Sequence, residues 1–396
     1  MWLDELSYRM RLRAERASKY RRRFFLKELP KGRVILLPGI RGVGKSVALL
    51  QLFSEVGGYL FWVDELSLFY GMGLADLFKE IERREGELVE KLDVTIMLDE
   101  VHYDSKWAQA LKWLADAFRG RVIATGSSAL AFQMTPELGR RAKVSWVWPL
   151  SFYEWLHLRG EKVNPVRLED LFFKEVQPEY RPGFERFLKE GGLPVTLEFG
   201  IDSVLRSVER VIFGDMLVVG GFDRKTVSLT PQLLRRLALD PSISVERLAS
   251  EVGLSKPTVI SVLDYLEKAG LIIQLRPYGP LSSLRKGLKR YFVTPTIRYA
   301  LTAPSYDLGI LLEEYVASQL YLMALRNGWD LTFWPKEGPD FVLTMGGKSV
   351  AIEVGFGRKE YSQVARALGK VDDVVVISEE GPKGKWIPLQ AFYRAW

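Results

Sequence analysis

The segment Arg33-Val-Ile-Leu-Leu-Pro-Gly-Ile-Arg-Gly-Val-Gly-Lys-Ser46 constrains this chain more than any other. It joins an apolar run of strand type to a helical pattern through the spacing G-x-x-x-x-G-K-S. Each part has a physical reason. Glycines let successive backbone N–H groups converge on phosphate oxygens, because no Cβ blocks the approach. The helix beginning near Gly44 adds the positive end of its dipole. Lys45 brings a point charge for the β- and γ-phosphates, and the Ser46 hydroxyl is a ligand for Mg²⁺. Gly39, Ile40, Arg41, Gly42, Val43, Gly44, Lys45 and Ser46 therefore form a candidate nucleotide-binding loop, with ATP and Mg²⁺ the expected ligands.

The surrounding pattern supplies the scaffold such a loop needs. Strand-type runs at Arg33–Leu37, Tyr59–Asp64, Val94–Asp99, Arg121–Gly126 and Lys143–Trp148 alternate with helical patterns at Lys45–Phe53, Leu74–Arg84 and Lys106–Phe118. Strands that are nearly all apolar are buried on both faces, which implies a parallel sheet with helices on each side. The third run ends in Asp99-Glu100, at the carboxyl edge of the sheet where ligands bind. Asp99 is expected to hold Mg²⁺, and Glu100 to orient and deprotonate the attacking water. The fourth run ends in Ala124-Thr-Gly-Ser-Ser128. Its polar tip would sense the γ-phosphate through Ser127, with Thr125 the alternative.

At 396 residues the chain exceeds one ordinary core, so two or three domains are expected. Absent cysteine excludes disulfides, thiolate catalysis and Cys-ligated metal. Two histidines, His102 and His157, exclude a His-rich metal centre. No apolar run approaches the ~18 residues of a membrane span, and the N-terminus lacks the apolar core of a secretory signal. The expectation is a cytoplasmic protein without a membrane partner. Scarce asparagine, at Asn164 and Asn327 only, together with absent cysteine fits a protein from a hot environment. The net charge of +7 favours contact with a polyanion such as DNA. Residues 8–29 read as a basic helix with a solvated face. It carries Arg9, Arg11, Arg13, Arg16, Lys19, Arg21, Arg22 and Arg23.

Residues 243–292 carry a helix-turn-helix pattern. Ser255 suits an N-cap and Pro257 the first turn of the second helix. Lys256, Thr258, Ser261 and Tyr265 would face a major groove. Leu271–Leu275 and Arg290–Val293 read as wing strands, and Arg276, Arg285, Lys286 and Lys289 between them suit phosphates.

The loop at Gly39–Ser46, the Asp-Glu strand and the polar-tipped strand, in that order, resemble the AAA+ ATPases. Further segments carry a narrower resemblance: Thr125-Gly-Ser-Ser128, Leu138-Gly-Arg140, Pro149-Leu-Ser-Phe-Tyr-Glu154, Gly191-Gly-Leu-Pro194, and Gly338-Pro-Asp-Phe341 with Ile352-Glu-Val354. They are similar to a group of archaeal and bacterial AAA+ ATPases whose C-terminal region resembles a restriction endonuclease. The resemblance implies an α/β fold in four parts. These are an ATPase core at 1–150, a helical lid at 151–228, a winged helix at 229–293 and a nuclease-like α/β domain at 306–396. It implies that Arg140, or the adjacent Arg141, reaches a neighbouring subunit's γ-phosphate in a homo-oligomer. It also implies a degenerate nuclease site. Glu314, Asp340 and Glu353 match the three acids, but Gly355 stands where the pattern has lysine. Lys359 lies too far along the chain to replace it without a special bend. Without that cation, phosphodiester cleavage is not expected. The function implied is an ATP hydrolase acting on or with DNA. The alternatives are a nucleotide-gated protein-interaction switch and an ATP-dependent nuclease.

Overall fold

A computed structural model of the chain describes residues 2–126, 136–218, 220–280, 287–359, 361–381 and 386–396. The chain forms two compact units: Met1–Trp148 with Lys268–Gly270, and Pro149–Glu267 with Leu271–Trp396.

The first unit is built on five parallel strands. They are β1 (Val34–Pro38), β2 (Tyr59–Trp62), β3 (Thr95–Asp99), β4 (Arg121–Gly126) and β5 (Ala142–Val144), in the order β2-β3-β4-β1-β5. Every residue of β1 is buried, as its unbroken apolar run requires. Helices cover the sheet through apolar stripes at helical spacing: Leu74, Leu77, Phe78 and Ile81, then Trp107, Ala108, Leu111 and Leu114. Because β1 lies inside the sheet between β4 and β5, its carboxyl end opens on the crevice where strand order switches.

Several elements differ from the sequence reading. The N-terminal helix α1 spans Trp2–Ala17 rather than 8–29, because Leu3, Leu6, Met10, Ala14 and Ala17 form its buried stripe. A 3-10 turn then buries Phe24, Phe25 and Leu26. Strand β2 stops at Trp62, and a helix begins at Val63 with Asp64 and Glu65 in its first turn, where the helix dipole favours acids. Strand β5 ends at Val144. Beyond it only the Ser145 and Val147 amides bond to β1, donating to the carbonyls of Leu36 and Pro38.

In the second unit, residues 159–183 are largely irregular, not helical, with one short turn at Asp170–Phe173. The Gly-Gly-Leu-Pro segment has a packing reason: a Cβ on Gly192 would lie 1.8 Å from the Thr294 hydroxyl. Helices at Arg224–Leu239, Val245–Val252 and Lys256–Lys268 precede an antiparallel pair, β6 (Ile272–Leu275) and β7 (Lys289–Phe292). The expected connector at 294–304 is instead mostly the helix Pro295–Thr302, with proline in its first turn. A mixed sheet follows, in the order β12-β11-β10-β9-β8, built from β8 (Asp330–Phe333), β9 (Phe341–Met345), β10 (Lys348–Val354), β11 (Asp373–Ser378) and β12 (Trp386–Pro388). The helix Leu308–Asn327 is long and apolar enough to cross a membrane, contrary to the sequence reading. Most of it is buried inside this unit, with Glu314 among its buried residues, so it is a core helix.

Candidate nucleotide site

The loop Gly39–Ser46 leaves the end of β1 and enters a helix at Lys45–Val56. Gly42 and Gly44 have φ of 82° and 92°, the left-handed region that side chains other than glycine avoid. Gly39 is needed for another reason: a Cβ there would lie 2.5 Å from the Val147 carbonyl oxygen. Lys45 is buried. Its Nζ donates to the Gly39 carbonyl at 2.9 Å and lies 3.8 Å from Glu100 Oε1. Arg41 donates to the Tyr103 hydroxyl at 3.2 Å.

β3 and β4 bring the acids to this loop. Thr125, buried on β4, accepts a hydrogen bond from the Glu100 N–H at 3.1 Å and donates its own to Asp99 Oδ1. Burial, and then the neighbouring Glu100 charge, raise the Asp99 carboxyl, while Thr125, Ser46 and Lys45 pull it back down. Glu100 has φ of 53° and is the one non-glycine residue with positive φ among the described residues. Backbone in that region is strained, and the helix dipole, metal or substrate contacts of an active site are where such strain persists. Its Oε2 lies 3.3 Å from His102 Nδ1, within a largely buried pair.

Whether this site suits Mg²⁺ turns on its oxygen atoms. Among the described residues no three His, Asp or Glu side chains gather closely enough to hold a metal alone. Mg²⁺ characteristically takes only one or two protein oxygens and completes its shell with phosphates and water. Asp99 Oδ2 is buried and has no hydrogen-bond partner. With the Ser46 hydroxyl beside Asp99, these residues fit that mode of binding.

Of the predicted sensor residues, Ser127 lies outside the described residues, and Thr125 is the one placed at the acids. Arg140 is exposed, and Arg141 pairs with Asp116. Sequence reasoning missed His102 and Tyr103. Their signal was position alone, two and three residues beyond Glu100.

The other described candidate residues have partners of their own. Lys256 pairs with Glu246, Arg276 with Asp330, and Lys289 with Glu313 at 2.6 Å. Thr258 takes part in the Ser255 N-cap, its N–H donating to Ser255 Oγ at 3.2 Å. Arg285 and Lys286 lie outside the described residues. Asp340 and Glu353 do come together at the edge of β9 and β10, where burial raises both carboxyls and each feels the other or Glu313. Glu314 does not join them. It is fully buried, accepting from Arg298 Nη2 at 2.7 Å and Nε at 2.9 Å, and from the Phe292 N–H at 2.6 Å. The acid facing Asp340 from that helix is Glu313, one residue earlier. Lys359 meets the one exception the spacing allowed, a bend in the chain. The chain bends after β10, so that its Nζ reaches Glu353 Oε1 at 3.0 Å. Its side chain occupies the space of residue 355, and a Cβ on Gly355 would lie 2.0 Å from Lys359 Cε.

Comparison with known proteins agrees with the geometry. The AAA domain family matches residues 31–156, and a domain of unknown function (DUF8612) matches residues 216–308. Fold and site thus define the class, an ATPase with a P-loop and an AAA domain. Within it, the chain belongs to the family of the uncharacterized protein MJ1637 of Methanocaldococcus jannaschii. The two are 32% identical over 382 residues, which span 87% of this chain and 80% of that one. Two solved structures are more distant. The Walker-type ATPase PABY2304 of Pyrococcus abyssi is 18% identical, covering 73% of this chain and 94% of that one, with a TM-score of 0.44. RuvB of Thermotoga maritima is 16% identical, covering 71% of this chain and 93% of that one, with a TM-score of 0.28.

Proposed function

We propose that the chain hydrolyses ATP with Mg²⁺ and couples hydrolysis to work on or with DNA. One observation carries the hydrolytic part. Glu100, held in a strained backbone conformation, presents its carboxylate beside Lys45 of the phosphate loop and next to Asp99. Bound Mg²⁺·ATP supplies the labile phosphoanhydride and the neutralisation of its phosphate charge. The chain's own residues do the rest. Lys45 and the loop amides hold the phosphates. Ser46 and Asp99 would hold the metal. Thr125 fixes the Glu100 backbone, and Glu100 orients a water molecule and accepts its proton. Arg140 is exposed, as a residue serving a neighbouring subunit's phosphate must be.

The DNA part rests on the net charge of +7 and on three helices followed by an antiparallel pair, the element order of a winged helix. Lys256 and Arg276 are exposed but spend part of their charge on Glu246 and Asp330. Phosphate contact would have to compete with those pairs. Surface pairs are worth only about 0–1 kcal/mol, so a polyanion can displace them. The test is ATPase rate with and without duplex DNA, with filter binding across a salt series. The reading expects faster hydrolysis and an affinity that falls steeply with salt. An unchanged rate, with no binding at low salt, would remove DNA and leave the protein-interaction switch.

A further inference from the structure

The arginine run at 21–23 holds one member that is not on a solvated face. Arg23 is only 6% exposed. Its Nη1 donates to the Val43 carbonyl at 2.6 Å, and its Nη2 to the Trp148 carbonyl at 2.8 Å. Val43 lies inside the phosphate loop, between the two glycines with left-handed φ. Trp148 ends the segment whose Val147 amide is bonded to the end of β1, and whose Val147 carbonyl abuts Gly39. One guanidinium therefore bridges the middle of the loop to a backbone segment fixed to the sheet. Its planar fork can meet two carbonyls at once, which an ammonium cannot do with the same geometry.

The consequence follows from the planar trans peptide. The carbonyl of Val43 and the N–H of Gly44 belong to one peptide unit and point in opposite directions. Holding the carbonyl on Arg23 fixes where the Gly44 N–H points. A loop carrying three glycines has many backbone conformations of similar energy, and only those with converging amides bind phosphate. Lys45 holds another carbonyl of the same loop, that of Gly39. We propose that Arg23 is a positioning residue for nucleotide binding: it pre-sets the Gly44 amide and so raises affinity for the phosphates of ATP and ADP without touching them. This rests on the reading of Gly39–Ser46 as the nucleotide site.

The test compares Arg23→Met, which keeps most of the volume and loses both bonds, with Arg23→Lys, which keeps the charge and reaches one carbonyl. Affinities for ADP and for ATP are measured by calorimetry on the full chain, with thermal melting of the nucleotide-free protein alongside. Arg121→Met is the control for general destabilisation. Arg121 donates to the Pro30 carbonyl at 3.1 Å, at the start of β4, the opposite end of that strand from the phosphate loop. We expect affinity to fall about ten- to hundredfold in Arg23→Met, the worth of a charge-assisted hydrogen bond. Arg23→Lys should fall between it and the parent, and Arg121→Met should melt lower yet bind as the parent does. Should Arg23→Met fail to fold, Arg23→Lys still decides: parental affinity there overturns the proposal. Equal losses of affinity in Arg23→Met and Arg121→Met would also overturn it, because the effect would then be stability alone. Lys45→Ala separates the two levels. If it keeps parental affinity, the loop is not the site. If it loses affinity while both Arg23 variants keep theirs, only the role of Arg23 falls.

Discussion

Each unit of this protein places buried carboxylates beside a lysine, at the carboxyl end of β3 in one unit and at the edge of β9 and β10 in the other. In the first, the polar atoms are left with capacity to bind something else. Asp99 Oδ2 is unpartnered, and Lys45 is 3.8 Å from Glu100 rather than in close contact. In the second, the lysines are paired more closely with acids, although Glu353 Oε2 is buried without a partner there too. Lys359 closes on Glu353, Lys289 closes on Glu313, and Glu314 is tied to Arg298 in a pair with exposures of 3% and 0%. Similar residue types thus give different outcomes. What separates the two sites is how closely the fold pairs each lysine with an acid, at 3.8 Å in the first and at 3.0 and 2.6 Å in the second. The second site is also built differently from what Gly355 suggested. Its cation is present, and the helix acid facing Asp340 is Glu313 rather than Glu314.

The largest expected effect tests the first half of that comparison. Glu100→Gln should bind ATP normally and hydrolyse it roughly 10²–10⁴-fold more slowly, the usual worth of a positioned base. Single-turnover hydrolysis with a parallel binding measurement checks this. Parental hydrolysis in the variant would show that Glu100 is not the base, and its backbone strain would need another explanation.

The second half predicts a loss of stability where the first predicts a loss of catalysis. Arg298→Met removes the partner of a fully buried carboxylate. Breaking such a pair from one side costs about 3–5 kcal/mol, because an uncompensated charge remains. Burial already raises the Glu314 carboxyl, and only Arg298 and the Phe292 amide hold it down. Adding Glu314→Gln to Arg298→Met should therefore recover part of the loss in chemical denaturation. If Arg298→Met is as stable as the parent, the pair is not structural. Metal-dependent DNA cleavage by the parent protein, abolished by Asp340→Ala, would break the comparison from the opposite side.

The sequence made the first site more legible than the second, for a physical reason. A phosphate loop is local: eight consecutive residues and their flanking periodicity carry nearly all of it. Asp99 and Glu100 were legible because an apolar strand fixes where its last residues emerge. Thr125 was only an alternative, since which polar residue of a strand tip turns inward depends on register, here Leu98 against Ala124. The second site depends on tertiary detail that spacing does not carry. Glu313 and Glu314 are adjacent, and a 100° rotation along the helix decides which one faces Asp340. Lys359 is six residues past Glu353, and only the bend after β10 brings it back. Arg23 was hidden by its neighbours: in a run of three arginines, composition suggests solvent, and the buried member is seen only when the loop it holds is seen.

The smallest expected effect concerns Asp99 and distinguishes a poised carboxylate from a paired one through pH. In the folded chain its pKa is raised to about 6, first by burial and then by the Glu100 charge. An unfolded aspartate titrates near ~3.9. Between these values the folded state holds a proton that the unfolded state has released. By linkage, the group's contribution makes the nucleotide-free protein less stable as pH rises through about 4 to 6. The size is on the order of 1–3 kcal/mol, from about 1.4 kcal/mol per pKa unit. Affinity for Mg²⁺·ATP should move the opposite way and rise as pH passes 6, because a metal needs the ionised carboxylate. ATP binding in EDTA should lack that rise. Asp99→Asn should lose both slopes, being neutral throughout. Denaturation profiles from about pH 4 to 6 read the first slope, and nucleotide titrations from about pH 5 to 7.5 read the second. If the parent and Asp99→Asn profiles superimpose, Asp99 is not a poised ligand, and the contrast between the two sites rests on Glu100 alone.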